Sequence, residues 1–526
     1  MRTIKKKGPI LDMRKIPVID LFAGAGGLAE GFSSVTRKGE RLFQIGLSVE
    51  KDTAAHKTLE LRSFLRQFPI NEIPEAYYKA VCESNIIIRE QNISSLFKEY
   101  PEQYKNAQKE AFLHELGTDS SKAIDERISQ TLNGYANWVL IGGPPCQAFS
   151  LAGRSRVGGI SAEDHRVYLY EEYLRVIAKF EPAVFVMENV KGLLSAKVNE
   201  VSVFNMILED LKEPYKIFEM ESGAEYTIHS LVSENIESPT DYLIKSEDYG
   251  IPQKRHRVIL LGVRNDIDLI PEKLLKRKSH VSIDSVVEDL PIIRSKLNRQ
   301  FSHYEGVEKK RKYRSVQDSS EIWQKTAIDH LAQLSKLYGF QNYGLNFKFQ
   351  QLSTGSEYIE ESVAGVADKS LQMWYKDSNL KGVLNHVSRS HLVDDLMRYL
   401  FAAIYSDKYS TSPKLTDYKN FSAKLLPDHR SADSGKFTDR FRVQVKGYPA
   451  TTITSHISKD GHYFIHYDPE QNRSLTVREA ARIQSFPDNF LFRGSRTQQF
   501  HQAGNAVPPY LAFQIGHIVT KLLSHV

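Results

Sequence analysis

Along the first third of the chain, short apolar runs alternate with stretches in which apolar residues recur every three or four positions. Residues 17–22 form one such run and pass through Ala23-Gly24-Ala25-Gly26-Gly27 into a helix-like segment at 28–32. That order reads as strand, glycine turn, helix. A second strand is predicted over 43–49, ending at Glu50, and a helix with Ala54, Ala55, Leu59 and Leu61 on its apolar positions follows. Further strands are expected at 138–141, 183–187 and 258–263, and a helical period at Tyr168, Leu169, Tyr173, Leu174 and Ile177 separates the first two of these. The alternation predicts an α/β fold, a doubly wound and mostly parallel sheet with helices on both faces. Ligands of such sheets bind beyond the carboxyl ends of the strands.

Residues 1–265 are therefore expected to form the first domain. Within it, 72–133 is charged and helical in flavour and reads as an insertion ahead of the fourth strand, with no chemistry assigned. From about 266 the alternation gives way to mixed polar segments, so a second, smaller domain is expected over 266–472. The last stretch, 473–526, is helical at 476–485 and 510–523 and reads as a return to the first domain.

Composition removes several classes. With 41% apolar and 25% charged residues the chain is neither collagen-like nor wholly disordered. No apolar run approaches the 18 or so residues of a membrane span, so neither membrane association nor a signal peptide is expected. Cys82 and Cys146 are too few for a disulfide framework or a four-thiolate zinc site, which points to a reducing, cytoplasmic setting and no metal. A net charge of +6 suits a polyanionic partner without demonstrating one.

Four groups of residues carry candidate chemistry. The run from Asp20 to Gly27 removes side chains where a strand turns into a helix, letting backbone N–H groups approach a ligand, and Glu50 ends the second strand where a carboxylate can bind both hydroxyls of a ribose. Gly142-Gly143-Pro144-Pro145-Cys146 places a thiol directly after a buried strand on a stiff turn, the position of a nucleophile. Cys82, in the helical insertion, reads as a structural cysteine. Glu188 ends the next strand at the same sheet edge and is a candidate general acid. Arg255 and Arg257 enter the 258–263 strand two positions apart, so an extended backbone would aim both at one pocket.

In this order, with Arg478 to Gln484 and Gln502 to Pro509 near the C-terminus, these segments are similar to the cytosine C5 DNA methyltransferase family. The resemblance implies the fold of the S-adenosylmethionine-dependent methyltransferases, a target-recognition domain in the 266–472 region, and S-adenosyl-L-methionine as methyl donor. It implies that Cys146 attacks C6 of a flipped-out cytosine, that Glu188 holds N3 and the exocyclic amine, and that Arg257 with Arg255 faces O2. By the same resemblance Phe22, Gly24 and Gly27 line the methionine and adenine pocket, Glu50 binds the ribose, Pro145 and Leu169 touch the donor, and Asn505 and Val507 close the site. Asn92-Ile93 stands where the family usually has Asp-Ile, and residues 151–165 would form a loop closing over DNA. The implied partners are double-stranded DNA and a cognate restriction endonuclease or other defence-system proteins acting on the same DNA, with the enzyme a monomer on DNA. A tRNA cytosine-5 methyltransferase and a catalytically silent DNA-binding protein are the rival readings; a nicotinamide dehydrogenase would leave Pro144-Pro145-Cys146 unexplained. Within the second domain, Lys309 to Lys312 reads first as a solvated charge run and second as a DNA-backbone contact.

Overall fold

A computed structural model describes residues 15–117, 121–145, 168–198, 200–306, 310–341, 346–427 and 439–524. Its centre is an eight-stranded sheet. Strand β1 (Ile16–Leu21) is followed by helix α1 (Gly27–Ser33), then by β2 (Phe43–Glu50) and α2 (Thr53–Arg66). Helices α3 (Glu75–Val81), α4 (Ile86–Glu99) and α5 (Pro101–Glu110) lead to a short strand β3 (Ala111–Leu113). After α6 (Ser121–Leu132) come β4 (Val139–Gly142), α7 (Tyr168–Phe180), β5 (Val184–Val190) and α8 (Val203–Lys212). Strands β6 (Tyr226–His229), β7 (Leu243–Lys245) and β8 (His256–Arg264) complete the sheet.

The strand order is β6-β8-β5-β4-β1-β2-β3, with β7 added beside β8. Strands β3, β2, β1, β4 and β5 run parallel, while β8 lies antiparallel to β5, β6 and β7. The central strands are continuous apolar runs because both faces are covered: β4 is buried throughout and β5 is buried over its first four residues. The chain order reverses between β1 and β4, so the crevice for a ligand opens there, at the carboxyl ends of β1, β2, β4 and β5.

The 72–133 stretch needs one correction. It is mainly helical, but it contains β3, which pairs in parallel with the end of β2 through Ser48↔Ala111 and Glu50↔Leu113. The stretch is thus part of the central sheet as well as an insertion.

Three further cores lie beyond the sheet among the described residues, one of them mainly within helices α2 to α5. A second is built from α9 (Ser320–Leu334), α10 (Val393–Tyr409) and segments between Leu297 and Ile465. The third joins Val281 to Leu290 with α11 (Val477–Ile483), α12 (Arg496–Asn505) and neighbouring segments. Ile267 and Leu274 pack into the sheet's own core, so the crossover from one region to the next is gradual. The last helix, α13 (Pro509–Leu523), packs on α1, where an added Cβ at Gly31 would stand 2.4 Å from the Ala512 methyl. That close approach requires glycine.

Candidate active site

The site is built on the turn after β1. Phe22, Gly24 and Gly26 all have positive φ (59°, 59° and 87°), a left-handed course that a glycine-rich sequence tolerates. The turn leaves backbone amides facing the end of β2. Glu50 receives the Gly24 N–H on one carboxylate oxygen at 2.8 Å and the Asp52 N–H on the other at 2.7 Å. Asp52 in turn caps α2 through Ala54 and Ala55. Glu50 is thereby oriented by backbone donors before any ligand arrives, with lone pairs left over for hydroxyl donors.

Behind the turn Asp20 is completely buried, and neither carboxylate oxygen has a hydrogen-bond partner of good geometry. Burial, reinforced by Glu50 and opposed by Arg66, pushes its carboxyl well above the usual carboxylate range.

At the end of β4 the chain passes through Gly143, Pro144 and Pro145. A Cβ at Gly143 would stand 3.0 Å from Glu188 Oε2, so this turn and the end of β5 are in near contact. Asn189 supports the turn by donating to the Pro144 carbonyl at 3.4 Å. Glu188 faces Arg257 on the adjacent β8, with Arg257 Nε 2.8 Å from Glu188 Oε1. The N–H is not aimed along that line, so the contact is an ion pair rather than a formed hydrogen bond, and Arg257 Nη1 donates to the His256 carbonyl.

Phe22, Gly24, Gly27, Glu50, Pro145, Leu169, Glu188, Arg257, Asn505 and Val507 line one cavity of about 510 Å³, a volume typical of small-molecule sites. Cys146 and the 151–165 loop lie outside the described residues. Gly27 is pinned against the far wall, where a Cβ would fall 2.2 Å from the Val507 carbonyl oxygen.

Arg255 behaves differently from the expectation. It sits between two strands, 253–254 and 256–264, where the ladder is interrupted, so the alternation that would place it beside Arg257 does not hold. Its buried guanidinium donates to the carbonyls of Ile453 (2.8 Å), Gly504 (3.2 Å) and Asn505 (3.4 Å). Burial and the neighbouring Arg257 pull its pKa well below the usual guanidinium range. Arg255 touches the cavity, its Nη1 and Nη2 donors hold the C-terminal segment against the sheet, and its buried Nε has no hydrogen-bond partner among the described residues. Gln253 does the same work, bonding Ile453 N–H, the Ile483 carbonyl and Gln484. Arg478 braces the Leu384 carbonyl and the 487–490 turn.

Asn92 and Ile93 do not reach the cavity. They lie on α4, and Ile93 is fully buried in a helical cluster with Leu61, Phe64 and Leu96. The third-strand position belongs instead to the end of β3, where His114 and Leu116 line the cavity beside Glu50. The His114 N–H donates to the Glu50 carbonyl at 3.0 Å and its ring stacks on Phe112, 5.1 Å between centroids. The signal was present as Ala111-Phe112-Leu113, but three residues among charged helices give no readable period. Thr454 and Ser455 also line the cavity. Cys82 is half-buried, and burial pushes its thiol up to about 11, in keeping with a structural residue.

Comparison with known proteins follows the same outline. The profile of the C-5 cytosine-specific DNA methylase family matches residues 98–521. The type II methyltransferase M.Bpa9945I of Bacillus paralicheniformis is 31% identical over 96% of this chain and 99% of its own length. M.DdeI of Desulfomicrobium norvegicum, also a type II methyltransferase, is 26% identical over 94% of this chain and 86% of its own. Among solved structures, an E. coli prophage protein assigned as a DNA modification methyltransferase aligns over 97% of this chain and 99% of its own with a TM-score of 0.51 at 19% identity, a likeness of fold. With a profile match over most of the chain and near-complete coverage of a relative above 30% identity, the chain belongs to the C-5 cytosine-specific DNA methylase family and is a methyltransferase of that class.

Proposed function

We propose that the protein transfers a methyl group from S-adenosyl-L-methionine to C5 of a cytosine extruded from a specific duplex DNA sequence. The observation that carries this reading is the convergence of the glycine turn, Glu50 and the Glu188–Arg257 pair on the cavity that Pro145 enters immediately before Cys146. The cavity's chemistry fits the donor: Glu50 offers acceptors to ribose hydroxyls, and Phe22, Leu116 and Leu169 offer apolar surface to a ring. The donor, when bound, supplies an electrophilic methyl on a sulfonium.

The chain's own residues do the rest. Cytosine C5 is a poor nucleophile until a group adds to C6. The Cys146 thiolate forms that bond, pushing electron density toward C5. Glu188 accepts from the exocyclic amine and shares a proton with N3. Arg257 stays cationic and faces the charge that develops on the ring as the adduct forms. After C5 is alkylated its proton is lost, the electron pair returns to the ring, and the C6–S bond breaks to release Cys146. Because the base is inaccessible in a stacked duplex, it must be rotated out at a cost of a few kcal/mol. The type II methyltransferase names of the relatives support a role as the modification half of a restriction system. We take the enzyme to act as a monomer on DNA in the cytoplasm, beside an endonuclease of the same recognition sequence or another defence protein.

The test is covalent trapping. Duplex DNA carrying 5-fluorocytosine cannot lose a C5 proton, so with donor present the wild-type protein should form a stable conjugate through Cys146, and Cys146→Ser should form none while still binding donor. Digestion of normal DNA after reaction should show 5-methylcytosine by mass spectrometry. A product methylated at N4, or methylation of tRNA alone, would overturn the reading.

A further inference from the structure

The chain's positive charge is not spread evenly. Residues 299–315 hold six Lys or Arg against two Glu, a net +4 within a chain whose total is +6. This segment is a two-stranded antiparallel arm, β9 (Arg299–Glu305) with β10 (Lys310–Ser315). Every described Lys and Arg on it is exposed. Register divides its two faces. Phe301 pairs with Tyr313 and Tyr304 with Arg311, which puts three aromatic rings on one face, with Arg299 lying over Tyr313 at 5.3 Å. Lys310, Lys312 and Arg314 alternate onto the other. None of the three rings joins the buried core of the domain, and Tyr304 is 48% exposed. Like charges gathered on an exposed arm repel one another, and exposed contacts such as the Lys312–Glu305 pair and the Arg314–Gln300 hydrogen bond are each worth little.

The arm is rooted close to the active site. At its base the Phe301 N–H donates to Asp394, and Asp318 accepts from the Leu297 N–H. The adjoining strand Lys296–Leu297 pairs with Ser390–His391. Arg389 then donates to the carbonyls of Ile457 and Lys459 and lies over Phe500 at 4.4 Å, while Arg496 donates to the Ser388 carbonyl. These contacts reach the 455–458 turn and α12, whose residues Ser455, Gly504 and Asn505 wall the cavity. Lys296, Arg389 and Arg496 form a second group of like charges along this path. Burial draws their pKa values down, Arg389 to about 10, and Arg496 adds repulsion on Lys296 and Arg389. Cations crowded in this way are relieved by an anion.

We infer that the β9–β10 arm, continued by the half-buried Lys296 and Arg496, is a track for the phosphate backbone of DNA flanking the target, adding affinity that does not depend on base sequence. The inference rests on duplex DNA being the substrate. Lysine-rich alternation suits phosphates, which are read by charge, whereas base edges demand the fixed fork of particular side chains.

The experiment compares wild type with two variants of the arm at Lys310, Arg311, Lys312 and Arg314. One replaces all four by Ser. The other exchanges Lys for Arg and Arg for Lys, keeping the charge. Binding is measured across a salt series on a random-sequence duplex and on a duplex containing the target, mapped by bisulfite sequencing of DNA from cells expressing the protein. For the Ser variant the plot of log affinity against log salt should flatten by about 2 to 4, roughly 0.9 for each phosphate that the arm no longer neutralises. Both duplexes should weaken by the same factor, with kcat at saturating DNA within about twofold of wild type. The exchanged variant should match wild type. A Ser variant that melts like wild type yet keeps the wild-type slope overturns the inference, as does an exchanged variant that loses only the target duplex, since that would make the arm a base reader. Wild type producing 5-methylcytosine alongside either result confines the failure to the arm; wild type producing none on any DNA fails the proposed function instead.

Discussion

The two halves of the molecule use buried polar groups in opposite ways. At the sheet edge, polar side chains such as Glu50 and Glu188 are held by backbone or by one cation and still face a cavity. In the second region and its junction with the sheet, a set of histidine, tyrosine and arginine side chains is closed into networks. His386 spans Thr476 and the Pro291 carbonyl, the Tyr399 hydroxyl meets His462 Nδ1 at 2.7 Å and lies 3.4 Å from His391, and Arg473 binds Glu479 in a fully buried pair. A group that must react keeps unfilled hydrogen-bonding capacity, whereas a group that specifies packing has none to spare. If this division is right, substitutions at the edge should change rates without changing stability, and substitutions in the closed networks should do the reverse.

Glu188→Gln gives the largest expected effect. It keeps the side chain's size beside Arg257 while removing its charge and basicity. Turnover should fall by about 10²- to 10⁴-fold, with the melting temperature and donor affinity close to wild type. Rapid-quench single-turnover assays with differential scanning fluorimetry would read both quantities. A variant that melts early but turns over normally would move Glu188 to the packing class and erase the distinction.

The arginine pair draws the line within two residues. Arg255→Met strips donors from three buried carbonyls, at about 1–3 kcal/mol for each acceptor left unpaired. It should melt well below wild type. Arg257→Met should melt near wild type and lose most turnover. Melts in the opposite order would show that the guanidinium at 257, not the one at 255, holds the C-terminal segment.

Acid should find the closed networks first. Burial draws His386 and His466 down to about 4, and also draws His391 well below its usual value. The unfolded chain protonates these rings near pH 6.5. Unfolding therefore takes up protons between the two values. Stability from these neutral rings is complete above about pH 6.5 and declines as pH falls through about 4. Glu479 acts in the same direction at lower pH, since Arg473 holds its carboxyl well below the usual range even though burial opposes this. Hydrogen exchange should show protection lost around 383–391 and 464–476 before β1, β4 and β5. Simultaneous loss everywhere would mean that the two regions unfold as one unit.

What could be read from the amino-acid order follows the same division. The glycine turn, Glu50, the Pro144-Pro145 turn and Glu188 were legible because each is a local signal at a strand end, and parallel strands bring such ends to one edge. Arg255 lines the cavity with Arg257 as expected, but not through an unbroken strand, since the chain departs from the ladder at that residue. The second region's network was invisible because its members lie up to about a hundred residues apart and leave no period, as with His386 and Thr476. Only its charge was on view, as Lys309 to Lys312.

The smallest predicted effect tests the position where local pattern failed. Two candidates compete for the third-strand contact to the donor: Asn92, chosen by resemblance, and His114, found at the end of β3 beside Glu50. His114→Ala removes a ring that lines the cavity and stacks on Phe112, and it leaves the His114–Glu50 backbone hydrogen bond in place. Removing one partly exposed aromatic ring costs about 0.5–1.5 kcal/mol, so donor binding should weaken about 2- to 13-fold by calorimetry. Asn92→Ala, at a half-buried position of α4 that does not line the cavity, should leave donor affinity unchanged, because Ile93 turns the helix's buried face toward Leu61 and Phe64 and away from the sheet edge. Reversed outcomes would mean that β3 only closes the sheet, and that α4 rearranges to reach the donor.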